Sequence, residues 1–103
     1  MILVIGSVVA QEDHIEEALV LSQEHVSRSR AEPGCVAHAV HRDAENPARL
    51  VFAEQWVNQA ALWEHFKVPA SKAFVNALAG MAREAPSIAV YEATAVAVPG
   101  GNA

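Results

Sequence analysis

CVAHAVHRDAENPARLVFAEQWV, residues 35–57, is the stretch whose reading decides the fold. Residues 35–42 and 49–57 read as strands, with Leu50, Phe52, Glu54 and Trp56 on one parity of the second. Between them lies a polar turn, residues 43–48, containing Asn46-Pro47. So short a connection cannot make a parallel crossover, so the two strands form an antiparallel hairpin.

Working outward, Glu32-Pro33-Gly34 ends whatever precedes the hairpin, because Pro cannot continue a helix and Gly allows a turn at positive φ. Upstream, Asp13 and Glu16 have capping-box spacing and predict a helix to about residue 30. Its expected inner stripe is Ile15, Leu19, Ser22 and Val26, with Glu16, Glu17, Glu24 and Arg28 solvated. Residues 1–9, rich in Ile and Val, form the first strand. Downstream, Asn58 caps a short helix to about residue 67. Pro69 opens another to about residue 83, with Phe74, Leu78 and Met81 inward, and Pro86 breaks it. Residues 88–98 alternate again as a last strand, and 99–103 form a frayed, flexible tail. The order β-α-β-β-α-β, with its second helical element split, predicts one α+β domain over 1–98. It has the ferredoxin-like split β-α-β pattern, an antiparallel sheet with helices on one face.

The strands are apolar on both faces: Ile2, Val4 and Val8 oppose Leu3, Ile5 and Val9, and Ile88, Val90, Val96 and Val98 oppose Ala89, Tyr91, Ala93 and Ala95. An antiparallel sheet with one wet face alternates with polar residues instead. With 52% hydrophobic and 18% charged residues, a chain this small is expected to cover the second face with a partner subunit, as a homodimer.

Net charge is −5 with no basic run, which removes the cationic surface that nucleic acid or an anionic membrane would require. The apolar start lacks a cationic n-region and is too short to span a bilayer, so a cytoplasmic location is expected. A single cysteine, Cys35, excludes an internal disulfide and any multi-cysteine metal site.

Five histidines remain to be placed. Charged helical neighbours predict solvated positions for His14 and His25. His38 and His41, three apart on a strand, point to opposite faces and cannot share one ion without a bend; one of them faces a pocket or interface. No His-x₃-His or carboxylate–histidine spacing suggests zinc or iron, and there is no phosphate loop or nucleophile elbow. His65 shares an inward stripe with Ala61, Leu62 and Phe66. It is either a packed histidine bonded to a carbonyl or a neutral imidazole able to accept a proton. Glu54, beside Phe52 and Trp56, is expected either to pair with an arginine or to have a raised pKa, unless it is a structural ion pair or faces a partner chain. Trp63 lies one residue off the inward stripe and is expected to be partly exposed.

Glu-Pro-Gly-Cys at 32–35, His41-Arg42-Asp43, Asn46-Pro47, Glu54-Gln55-Trp56, Ala60-Ala61-Leu62, His65, Pro69 and Lys72-Ala73-Phe74 together resemble the antibiotic-biosynthesis-monooxygenase family, in its quinol-monooxygenase-like branch. The likeness spans nearly the whole chain. It implies a dimeric α/β barrel with a pocket between sheet and helices in each subunit. It also implies oxygenation of a small electron-rich aromatic, a quinol or anthrone, by molecular oxygen as co-substrate, with no metal, flavin or haem. On that resemblance His65 is the catalytic base, and Ser7, His38, Phe52, Glu54, Trp56, Phe66 and Phe74 are substrate-binding residues. Ser7 stands where haem-degrading relatives carry asparagine. Residues near Val75 replace their haem-ligating histidine, so haem is not implied. Two alternatives share the scaffold: a small-ligand-binding or stress-response protein without turnover, and an isomerase of a signal metabolite.

Overall fold

The computed structural model describes residues 1–100. Four strands and three helices follow the expected order: β1 (Ile2–Val9), α1 (Ile15–Ser29), β2 (Cys35–Arg42), β3 (Arg49–Trp56), α2 (Gln59–Lys67), α3 (Pro69–Met81) and β4 (Ser87–Glu92), with a 3-10 turn (Glu12–His14) before α1. The sheet is antiparallel throughout, in the order β2-β3-β1-β4. Each half of the chain therefore places its two strands apart and inserts a strand of the other half between them. This is the ferredoxin-like α+β fold.

All three helices lie on one face. The strand residues beneath them are buried in alternation: Ile2, Val4 and Val8 on β1, and Leu50, Phe52, Glu54 and Trp56 on β3. The apolar core divides in two. Val8, Leu50, Phe52, Val26, Phe74, Leu78 and Met81 fill one end, and Ile2, Val4, Trp56 and Leu62 the other. Phe52 belongs to the first cluster and Trp56 to the second, so Glu54 sits at the seam between them. The opposite face, which carries Leu3, Ile5, Val51, Ala53, Ala89 and Tyr91 by register, has no helix over it among the described residues, and Ile5 and Tyr91 are 41% and 53% exposed.

Local structure departs from expectation at three places. Asp13 does not cap α1: it lies inside the 3-10 turn, and His14 at the cap position makes no capping bond. Tertiary bonds fix the entry instead, from Ala10 N–H to the Ala48 carbonyl and from Gln11 N–H to the Met81 carbonyl. The inward stripe of α1 is Ala18, Ser22, His25, Val26 and Ser29, while Ile15 and Leu19 lie half-buried at its margin. Small side chains let the helix approach closely, and hydropathy alone does not mark them. The last strand stops at Glu92 rather than Val98. Its last pair sets Glu92 opposite Ile2, the first residue of β1, and Ala93 N–H bonds the carbonyl of Met1 beyond it. The end of the expected tail, 101–103, lies outside the described residues.

Asn58 does cap α2, accepting from Ala61 N–H at 2.9 Å. That helix is seated against the turn before β2 through Gly34, whose φ is +83°. A Cβ there would fall 2.6 Å from Ala61 Cβ and 2.9 Å from Val57 Cγ2. Gly34→Ala therefore combines left-handed strain with a clash. It is expected to lower stability by about 2 kcal/mol or more, read as a reduced denaturation midpoint in urea.

Candidate functional site

A cavity of about 590 Å³ opens under the helices, bounded by β1, β3, the start of β4 and one side of each helix. Its size suits a small organic molecule. Phe52, Phe74 and Leu78 give it apolar walls, Phe66 stands at the rim, and the polar groups that reach it include His25, Glu54 and His65. Four of these seven residues, Phe52 and Glu54 from the alternation of β3 and Phe74 and Leu78 from the stripe of α3, are the ones that sequence periodicity finds.

His65 is buried, as its place beside Leu62 predicts, and its partner is a carboxylate rather than a backbone carbonyl. Nδ1 lies 2.9 Å from Glu32 Oε1. Glu32 belongs to the Glu-Pro-Gly turn that ends α1, and the seating of Gly34 against Ala61 holds that turn beneath α2. An ionised carboxylate cannot donate, so Nδ1 carries a proton, and in the neutral ring the lone pair is then on Nε2. Sequence reasoning read Glu32 only as part of a helix terminator. Its pairing spans 33 positions and leaves no local signal.

Glu54 meets no arginine, and its pKa is not raised. Burial pushes toward the neutral acid, but His38, the Trp56 indole and the nearby His65 outweigh it and hold the carboxyl below its usual range. Trp56 Nε1 donates to Oε1 at 2.9 Å, and His38 Nε2 lies 3.2 Å from the same oxygen. His38 and Trp56, both fully buried, form a layer behind the cavity wall rather than the wall itself. Arg30 fixes that layer by donating to the His38 carbonyl at 2.8 Å. Ser7 reaches only the margin of the cavity: its side chain belongs to the uncovered face, where its hydroxyl pairs with that of Ser87 at 3.0 Å. The surroundings of Cys35 disfavour its thiolate. Burial, with Glu54 and Glu32 nearby, pushes its thiol up.

His25 is the largest departure. Expected on the surface, it is 5% exposed and stacks flat on Phe74, with centroids 4.1 Å apart and planes 8° from parallel. Its ring centroid lies 5.3 Å from those of both His38 and His65, which are 5.6 Å apart. The i, i+3, i+7 spacing from Ser22 to Ser29 could have placed it inward, had serine been counted as a small core residue. His41, by contrast, is exposed on the other face of β2, and His14 is half-exposed beside Glu17.

Burial, followed by repulsion from His38 and His65, lowers the pKa of His25 to about 3. Between that value and the ordinary 6.5, the unfolded chain binds a proton that the folded chain refuses, so stability falls as pH falls through this window. Glu54 adds to the loss at lower pH, where its depressed carboxyl finally protonates. The melting temperature is expected to drop steadily from pH 7 to pH 4 (about one proton's worth of slope). His25→Phe should flatten that dependence, as differential scanning fluorimetry across the range would read.

Comparison with known proteins agrees with this fold. Residues 1–77 match the family model described as antibiotic biosynthesis monooxygenase. A crystal structure of an antibiotic biosynthesis monooxygenase superposes with a TM-score of 0.86 at 27% identity, covering 92% of this chain and all of that one. A Deinococcus radiodurans structure provisionally assigned the same activity gives 0.91 at 25% identity over 98% of this chain and all of its own. An uncharacterised Synechocystis protein is 33% identical over 91 residues, 88% of this chain, and the match spans 62% of its length. The chain belongs to the antibiotic biosynthesis monooxygenase family.

Proposed function

We propose that this protein oxygenates a small electron-rich aromatic, of the quinol or anthrone class, with molecular oxygen and without a bound cofactor, as a cytoplasmic homodimer. The observation that carries this reading is the His65–Glu32 pair at the wall of an apolar cavity. Such a substrate needs little from the protein beyond a base, a dry site and groups that hold its anion. His65 Nε2 takes a proton from the bound substrate, and Glu32 stabilises the imidazolium that results. The anion passes one electron to oxygen, and the radical pair combines as a peroxide at carbon. That peroxide takes up a proton and loses water to leave a carbonyl, so one oxygen atom enters the product and the other leaves as water. Family membership supports the reaction class. Dimer formation is supported by the apolar sheet face without a helix.

His65→Ala is expected to leave a folded protein of lower melting temperature whose turnover of an active quinol or anthrone per folded molecule falls by ~10²–10⁴-fold, measured as oxygen consumption on the same preparation. If His65 only packs the core, stability falls and the rate per folded molecule holds. Light scattering at micromolar concentration should give the mass of a dimer, and a folded monomer would refute the second half of the proposal.

A further inference from the structure

Three imidazoles from three separate elements meet beside the cavity: His25 from α1 and His65 from α2 in its wall, and His38 from β2 in the layer directly behind them. Each offers one ring nitrogen, and these three atoms lie within 4.8 Å of one another. All three side chains are buried, so the convergence is built by the fold rather than by mobile surface groups.

Their hydrogen bonding is incomplete in a particular way. His25 Nδ1 and His38 Nδ1 are buried without a hydrogen-bond partner, and His38 Nε2 has only the ion-pair contact with Glu54 Oε1 at 3.2 Å, short of a well-aligned hydrogen bond. Native proteins rarely leave several such groups together unless something else completes them. Two carboxylates stand behind the cluster: Glu32 takes Nδ1 of His65 at 2.9 Å, and Glu54 lies 3.2 Å from Nε2 of His38. Metal-binding histidines characteristically have a carboxylate or carbonyl on the nitrogen turned away from the ion, fixing tautomer and ring orientation. Here that arrangement leaves Nε2 of His65 and Nδ1 of His38 with lone pairs to give.

We propose that His25, His38 and His65 bind one divalent first-row transition-metal ion, zinc being the representative, with an open coordination position toward the cavity. Neutral imidazoles suit zinc, cobalt, nickel and copper, and they do not suit magnesium or calcium, which require oxygen ligands. Three protein ligands beside a cavity leave the fourth tetrahedral position free for water or a small ligand. Bond lengths near 2.0–2.1 Å require the nitrogens to close to about 3.3 Å, a contraction within reach of small ring rotations. The inference does not rest on the oxygenation proposed above, but it bears on it. An ion holding Nε2 of His65 takes the lone pair that would accept the substrate's proton, so the metal-bound protein is the silent form of that enzyme.

The test is a titration of chelator-treated protein with Co²⁺, followed by displacement with Zn²⁺. The expected result is one equivalent of cobalt with visible ligand-field bands of low coordination number, lost when zinc is added. His25→Phe keeps a ring on Phe74 and removes one ligand, and it should abolish the bands while circular dichroism shows the fold retained. Glu32→Gln should weaken binding by ~10–100-fold. Absence of saturable binding at micromolar metal overturns the proposal. So does binding that persists unchanged in both His25→Phe and His65→Phe, which would place the ion elsewhere, such as at surface His14 beside Asp13 and Glu17. Because the titration reads no turnover, a failure to bind metal and a failure to oxygenate are separate results.

Discussion

A carboxylate buried between two apolar clusters must be met by donors or give up its charge. Glu54 is met by the Trp56 indole N–H and by His38, and the arrangement around it follows from that requirement. Trp56 must lie on the same strand face two residues on, and His38 must be its cross-strand partner, as the β2–β3 register makes it. With His38 committed to the core, α1 can approach only with small side chains, and the ring of His25 fills the remaining space against Phe74. The polar seam thus replaces what would otherwise be one continuous core. It also puts His25, Glu54 and His65 at the cavity wall instead of on the surface.

Much of the fold was legible because it rests on local signals. Glu-Pro-Gly at 32–34, the Asn58 cap, Pro69 and the parity of Leu50 through Trp56 each act within a few residues, and each is found where expected. The extent of β4 was not legible, because a strand ends where its partner ends, and Met1 lies far away in sequence. The site was legible in half. Phe52, Glu54, His65 and Phe74 follow from periodicity, whereas the Glu32–His65 contact joins two elements that share no sequence pattern. His25 was misplaced for a related reason: among charged neighbours a histidine reads as solvated, and the small residues that bring its helix face inward carry little hydropathy.

The histidine cluster also shows how metal-ligand spacing can mislead. Searching for ligands one helical turn apart assumes that a single element presents them. Here α1, β2 and α2 contribute one imidazole each, so the relevant spacing belongs to the packing of the layers. Any substitution that alters the seating of α1 or α2 on the sheet changes the distance between those rings without touching a histidine.

The edge position of β4 has a consequence for the firmness of the cavity's boundary. This strand pairs with β1 alone, and none of its side chains is buried, yet Ser87 and Ile88 form part of the cavity's boundary. Detaching it would break one ladder of hydrogen bonds and expose little further apolar surface, which costs far less than unfolding the whole domain. The histidines stand on elements locked into the core. The rim at Ser87 and Ile88 is thus the least firmly held part of the cavity's boundary, while its inner wall rests on core elements.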